Sequence, residues 1–218
     1  MDGYNQSRYL TPASRITVVA HLFGITALIL LLVWLLHYRT GFDLDSSHPE
    51  RVFNLHPFLM FFGFIFFAGE AAMAYKTIRA SREVQKFCHM LFHLIAIVLG
   101  IVGIYTAFKF HNMQHISHMH SLHSWIGMIT FCFFGLQWLF GFALFMFPKA
   151  RPFTREMAMP WHISGGRALL YMAICTAETG LMQIEPLTSK FSLINFIGLF
   201  ILFFGITVDL SIALGHYV

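Results

Sequence analysis

Six apolar stretches, each about as long as a bilayer is thick, leave this chain few ways to fold. They run from about Ile16 to Leu36, Leu55 to Tyr75, Phe87 to Phe108, Leu122 to Phe147, Trp161 to Met182 and Leu193 to Gly215. A helix needs about 20 apolar residues to cross ~30 Å of hydrocarbon, and irregular backbone there would leave its own amides unsatisfied. Composition agrees. The chain is 57% hydrophobic and 11% charged, whereas a soluble domain carries about 25% charged residues, so too little polar surface remains for a water-facing exterior. The expectation is an all-α membrane protein with six transmembrane helices, one domain over residues 1–218. No basic stripe or fingered motif points to nucleic acid. The polar opening MDGYNQSRYLTPASR and a first apolar run of full spanning length argue against a cleavable signal peptide. Cys88, Cys132 and Cys175 sit in apolar surroundings without CxxC spacing, and are expected to be buried thiols.

Local cues mark several helix starts. Asn54 can cap the second helix, with Pro57 tolerable in its first turn. Ser121 can cap the fourth, and Pro160 sits at the opening turn of the fifth. Charge then orients the bundle. Segments 1–15, 76–86 and 148–160 carry Arg8, Arg15, Lys76, Arg79, Arg82, Lys86, Lys149, Arg151 and Arg155. The alternate loops carry Arg39, Arg51, Lys109 and Lys190, with Asp43, Asp45, Glu50 and Glu185 among them. Nine basic residues against four in short loops put both termini in the cytosol.

Four histidines fall where apolar stretches begin: His56 in FNLHPFLM, His89 in KFCHMLFH, His123 in HSLHSWIG and His162 in MPWHISGG, spaced by 33, 34 and 39 residues. Each step is one crossing and one turn. His56 and His123 therefore lie near the non-cytosolic face, and His89 and His162 near the cytosolic face. Helices two apart run in the same direction, so the histidines can meet in pairs. Ionisable groups inside a membrane are costly and usually functional. A structural zinc site needs four converging ligands, but topology separates these into two layers ~20 Å apart by helical rise. Two imidazoles per layer suit the two axial positions of a haem iron. With both positions filled, the iron is steered to electron transfer rather than oxygen chemistry. His21 in the first helix reads as a satisfied polar side chain. His93 lies one turn beyond His89 on the same face, and spacing leaves either one as the ligand. The 26 Phe residues and glycines such as Gly63, Gly69, Gly127, Gly165 and Gly166 could wall a flat macrocycle. Ordinary lipid-facing and helix-packing roles explain them as well.

FNLHP opening the second helix, SLHSWIG the fourth, MPWH the fifth and LLHYR ending the first resemble the cytochrome b561 family of transmembrane ascorbate-dependent reductases. The resemblance covers nearly the whole chain. It implies a four-helix core, helices two to five, holding two b-type haems as His56/His123 and His89/His162, usually in a homodimer. The histidine 34 residues before that of SLHSW is the family's ligand, which selects His89 and leaves His93 beside it. The resemblance further implies electron transfer from cytosolic ascorbate to monodehydroascorbate or a ferric chelate. An endomembrane location is expected in preference to the plasma membrane.

The aqueous faces fit that expectation. Lys86 and Arg155, with Arg82 less directly, are the expected ascorbate-docking residues. The surrounding basic residues Lys76, Arg79, Lys149 and Arg151 serve equally well as topology or lipid anchors. On the opposite face His37 and the loop FKFHNMQHISHMHSLH carry further histidines. His111 with Asn112, and His37, match the family's outer substrate site. His120 stands where members usually carry tyrosine, and His115 and His118 read either as metal-capturing or as solvated polar residues. Arg167 is expected to pair with a haem propionate or with one of Glu70, Glu178 and Asp209. Two other readings use the same histidines: a dihaem anchor linked to quinone, and a divalent-metal transporter without haem.

Overall fold

A computed structural model of the chain describes residues 3–184 and 191–215, with side chains from Arg15 to Ile184 and from Ser192 to Leu214. Arg8 has no described side chain, and Glu185 and Lys190 lie outside the described residues. Every regular element among the described residues is helical: α1 (Gly3–Val33), α2 (Pro49–Phe53), α3 (Leu55–Phe58), α4 (Phe67–Thr77), α5 (Arg82–Gln114), α6 (Leu122–Gly141), α7 (Pro152–Leu181) and α8 (Phe191–Gly215). Wider π-helical turns extend α1 over Trp34–Tyr38, join α3 to α4 over Leu59–Phe66, and extend α6 over Phe142–Met146.

Among the described residues, five helical runs are long and apolar enough to cross a membrane: Arg15–Tyr38, Pro49–Thr77, Arg82–Gln114, Leu122–Met146 and Ser192–Leu214. The run expected at Trp161–Met182 forms the C-terminal two-thirds of α7. It carries His162, Arg167 and Glu178 and is not among those five. Large apolar side chains point outward, as they do when the solvent is hydrocarbon: Trp161 is 81% exposed, Leu122 68% and Phe140 64%. That reverses one expectation. Cys132 and Cys175 are exposed and Cys88 is only half-buried, because their apolar surroundings are the outside of the bundle rather than a protein core.

Capping is partly as the sequence suggests. Ser121 caps α6 reciprocally: its Oγ accepts from Ser124 N at 3.2 Å, while Ser124 Oγ accepts from Ser121 N at 3.1 Å. Asn54 does not cap. It is fully buried between α2 and α3, and its Nδ2 donates to the Gly41 carbonyl at 2.7 Å, so Pro49 opens the second run instead. Pro160 does not open α7 either. Pro152 stands at its first turn and Pro160 lies inside it, the polar segment before Trp161 being helical as well.

The helices pack so that α8 runs along α1 and also reaches α4 and α7, α5 lies against α4, and α6 against α7. Phe204 and Val208 of α8, Leu31 of α1 and Leu35 of its π-helical extension, Phe61 and Phe64 of the turn joining α3 to α4, and Ile174 of α7 meet in one apolar core. His56, His89, His123 and His162 lie off this core, on α3, α5, α6 and α7.

Candidate functional site

His56 and His123 face each other with ring centroids 5.9 Å apart, and His89 and His162 do so at 6.2 Å. An imidazole nitrogen binds a first-row metal at about 2 Å, so two rings gripping one ion from opposite sides have centroids roughly 6 Å apart. Each pair joins two different helices: α3 with α6, and α5 with α7.

Three of the four rings are held by a neighbouring helix. His56 Nδ1 donates to the Gly103 carbonyl at 2.9 Å, His89 Nδ1 to Ala71 at 2.8 Å and His123 Nδ1 to Thr176 at 2.8 Å. A carbonyl can only accept, so Nδ1 carries the proton and Nε2 keeps its lone pair, the tautomer that a metal needs. Two glycines make room for the rings. A Cβ at Gly180 would sit 2.8 Å from His123 Cε1, and one at Gly141 would sit 3.0 Å from His162 Cε1. Rings, tautomers and cleared space together fit axial ligation of haem iron.

His93 packs edge-on against His89 at 4.6 Å, and its Nδ1 is buried without a hydrogen-bond partner. From it an aromatic run leads inward: Phe134 at 5.3 Å, then Phe64 at 4.7 Å, then Phe131 at 5.4 Å.

Around the His89/His162 pair, Lys86 Nζ donates to the Phe145 carbonyl at 3.4 Å, and the Phe145 ring lies 5.2 Å from His162. Arg82 stacks over Tyr75, whose ring lies 5.4 Å from His89. Arg155 lines a shallow 230 Å³ hollow with Pro152, Glu156 and Met159, and its Nε is buried without a partner. At the other end of α5, His111, His118 and His120 come together. The His111 ring lies 5.6 Å from each of the other two, and His118 Nε2 donates to Asn112 Oδ1 at 2.9 Å. His37 packs on Tyr38 instead, and His115 is an exposed left-handed residue ending α5.

Arg167 and Glu70 find partners on other helices. Arg167 pairs with Asp209, Nη2 to Oδ2 at 3.0 Å, and Tyr171 Oη donates to the same oxygen at 2.9 Å. His21 Nε2 meets Glu70 Oε2 at 2.9 Å. Glu178 Oε1 is buried without a partner. Sequence reasoning missed Gln137, which touches His162. An amide within the apolar run FFGLQWLFG was the available signal.

Residues 55–186 match the family model described as eukaryotic cytochrome b561. The chain is 39% identical over 206 residues to a probable ascorbate-specific transmembrane electron transporter of Oryza sativa subsp. japonica, covering 90% of this chain and 88% of that one. It is 36% identical over 208 residues to an Arabidopsis thaliana transmembrane ascorbate ferrireductase, covering 91% and 87%. Against a Mus musculus transmembrane ascorbate-dependent reductase it is 34% identical over 199 residues, covering 87% and 78%. With the family model spanning more than half of its length and relatives aligned nearly end to end, this membrane-embedded chain belongs to the cytochrome b561 family.

Proposed function

We propose that the chain is an oxidoreductase that passes single electrons across a membrane, from cytosolic ascorbate to monodehydroascorbate or a ferric chelate on the other side. Ascorbate as donor rests on what the relatives are named for. Membership of the family brings b-type haem. Two haems are supported by two imidazole pairs of matching separation. His56 and His123 would hold one and His89 and His162 the other, and haem bound there supplies a reversible one-electron change at iron.

The chain's own residues do the rest. His56, His123, His89 and His162 would take the ligand positions of the iron and leave it to electron transfer. The carbonyls of Gly103, Ala71 and Thr176 keep three rings in one tautomer and orientation. His89, with its Nδ1 on a carbonyl, is the ligand, and His93 packs beside it. Lys86 and Arg82, each one aromatic ring from a ligand, and Arg155 attract the ascorbate anion. His111, Asn112, His118 and His120, with His37, receive the acceptor. In this reading α7 is also a crossing, the fifth of six in chain order, both termini are cytosolic, and residues 1–218 form one domain. The protein works as a homodimer in an endomembrane.

The observation that carries the reading is the pair of roughly matched His–His separations. Its test is the visible spectrum of the purified protein. Sharp b-type bands growing in on ascorbate addition are expected, and a colourless preparation overturns it.

A further inference from the structure

Three of the paired imidazoles rest on a backbone carbonyl, and the fourth does not. His162 Nδ1 lies 3.2 Å from Gln137 Nε2, and the same amide nitrogen donates to the His162 carbonyl at 2.6 Å. The second bond fixes which way the amide points. The His162 carbonyl can only accept, so the amide nitrogen faces it, and the oxygen is turned away from the ring. Gln137 Oε1 points instead toward Gly165, where a Cβ would stand 3.3 Å from it. His162 Nδ1 therefore has an N–H donor beside it, while His56, His89 and His123 each have an acceptor.

That difference has a chemical consequence for any metal held through Nε2. Coordination there leaves the ring proton on Nδ1, where a carbonyl acceptor would draw on it and make the ring a stronger electron donor. At His162 the nearest group is a poor acceptor, held in place by a second bond to the backbone. A weaker donor stabilises ferric iron less. We propose that Gln137 is the positioning residue for His162, and that it raises the reduction potential of the His89/His162 site by denying the ring the acceptor that its three counterparts have. The inference rests on His162 being an iron ligand.

Redox titration and EPR of purified, haem-loaded wild type, Gln137→Glu and Gln137→Leu test it. A carboxyl group at 137 offers the Nδ1–H an acceptor; leucine offers neither donor nor acceptor. In Gln137→Glu one titrating component should fall by about 59 mV, a tenfold change in its reduced-to-oxidised ratio, with the rest unmoved. In Gln137→Leu that component should stay within a few-fold of wild type in the same ratio, with an altered low-spin EPR signal. Selective loss of one haem in Gln137→Leu that Gln137→Glu restores also supports the role. Midpoints and EPR signals that coincide in all three proteins overturn it. So do equal shifts of every component, loss of haem in Gln137→Glu alone, or loss of all haem in both variants, which would mark Gln137 as packing only. His162→Ala with wild-type haem content would instead remove the ligand assignment beneath the inference.

Discussion

Arg82 and His89 are joined through one ring: the guanidinium carbon of Arg82 stands 5.8 Å from the Tyr75 centroid, and Tyr75 lies 5.4 Å from His89. Lys86 reaches toward His162 by way of Phe145, donating to its backbone carbonyl while the Phe145 ring lies 5.2 Å from His162. Two cations thus stand one aromatic away from the two imidazoles of one pair, close enough to draw an anion there without entering the apolar interior.

If those cations dock ascorbate, removing either should slow reduction by the donor. At a partly solvated site one charge a few ångströms from an anion is worth about 1 kcal/mol, so Lys86→Ala and Arg82→Ala should each lower the second-order rate about fivefold. The deficit should shrink in 1 M salt, where the Debye length is about 3 Å. Stopped-flow reduction at two ionic strengths reads this. Rates equal to wild type at low salt remove both residues from the docking site.

Ligand assignment is read by counting haem. His56→Ala and His123→Ala should each cost the same haem, and His89→Ala and His162→Ala the other, since one imidazole cannot replace its missing partner across the iron. His93→Ala should retain both, because His93 Nδ1 has no partner whereas His89 Nδ1 is held by Ala71. Pyridine haemochrome assay of each variant decides. A His93 variant that loses a haem while the His89 variant keeps it reverses the assignment.

The helices and the histidine pairing were legible because both follow from length. A span and a turn take a fixed number of residues, so histidines spaced by 33, 34 and 39 must alternate between the ends. What was not legible depends on the third dimension. Asn54 looks like a cap in sequence, yet the chain folds Gly41 back onto it. Pro160 looks like a helix start, but the eight residues before it, from Pro152 onward, are already helical. The cysteines looked buried because apolar neighbours in sequence do not say whether lipid or protein surrounds them. The partners of Arg167, Glu70 and His162 come from other helices, 42, 49 and 25 residues away, and no periodicity encodes such meetings.

The trio of His111, His118 and His120 separates the two ends of the bundle experimentally. His118 and His120 gather around His111 at the end of α5, far along the chain from Lys86. His118→Ala with His120→Ala should slow reoxidation by a ferric chelate severalfold and leave the rate of reduction by ascorbate unchanged. Reoxidation by monodehydroascorbate provides the comparison for acceptor choice. Equal effects on donor and acceptor rates would mean the loop acts through the fold rather than at the acceptor.

Asp209 accepts from both Arg167 and Tyr171, which ties α8 to α7 by charge. The Asp209 side chain is 8% exposed and that of Arg167 36%. Breaking a fully buried pair costs about 3–5 kcal/mol. Because Arg167 is over a third exposed, Asp209→Asn should cost less, about 1–2 kcal/mol. Tyr171→Phe removes one hydrogen bond, worth about 1 kcal/mol. Replacing both charges, as in Arg167→Met with Asp209→Leu, should restore most of the loss, since neither partner is then left without the other. Thermal unfolding in detergent of these variants, with Arg167→Met and Asp209→Leu also made singly, reads the coupling between the sites. Additive losses in the double variant would show that the two charges stabilise α7 and α8 independently rather than as a pair.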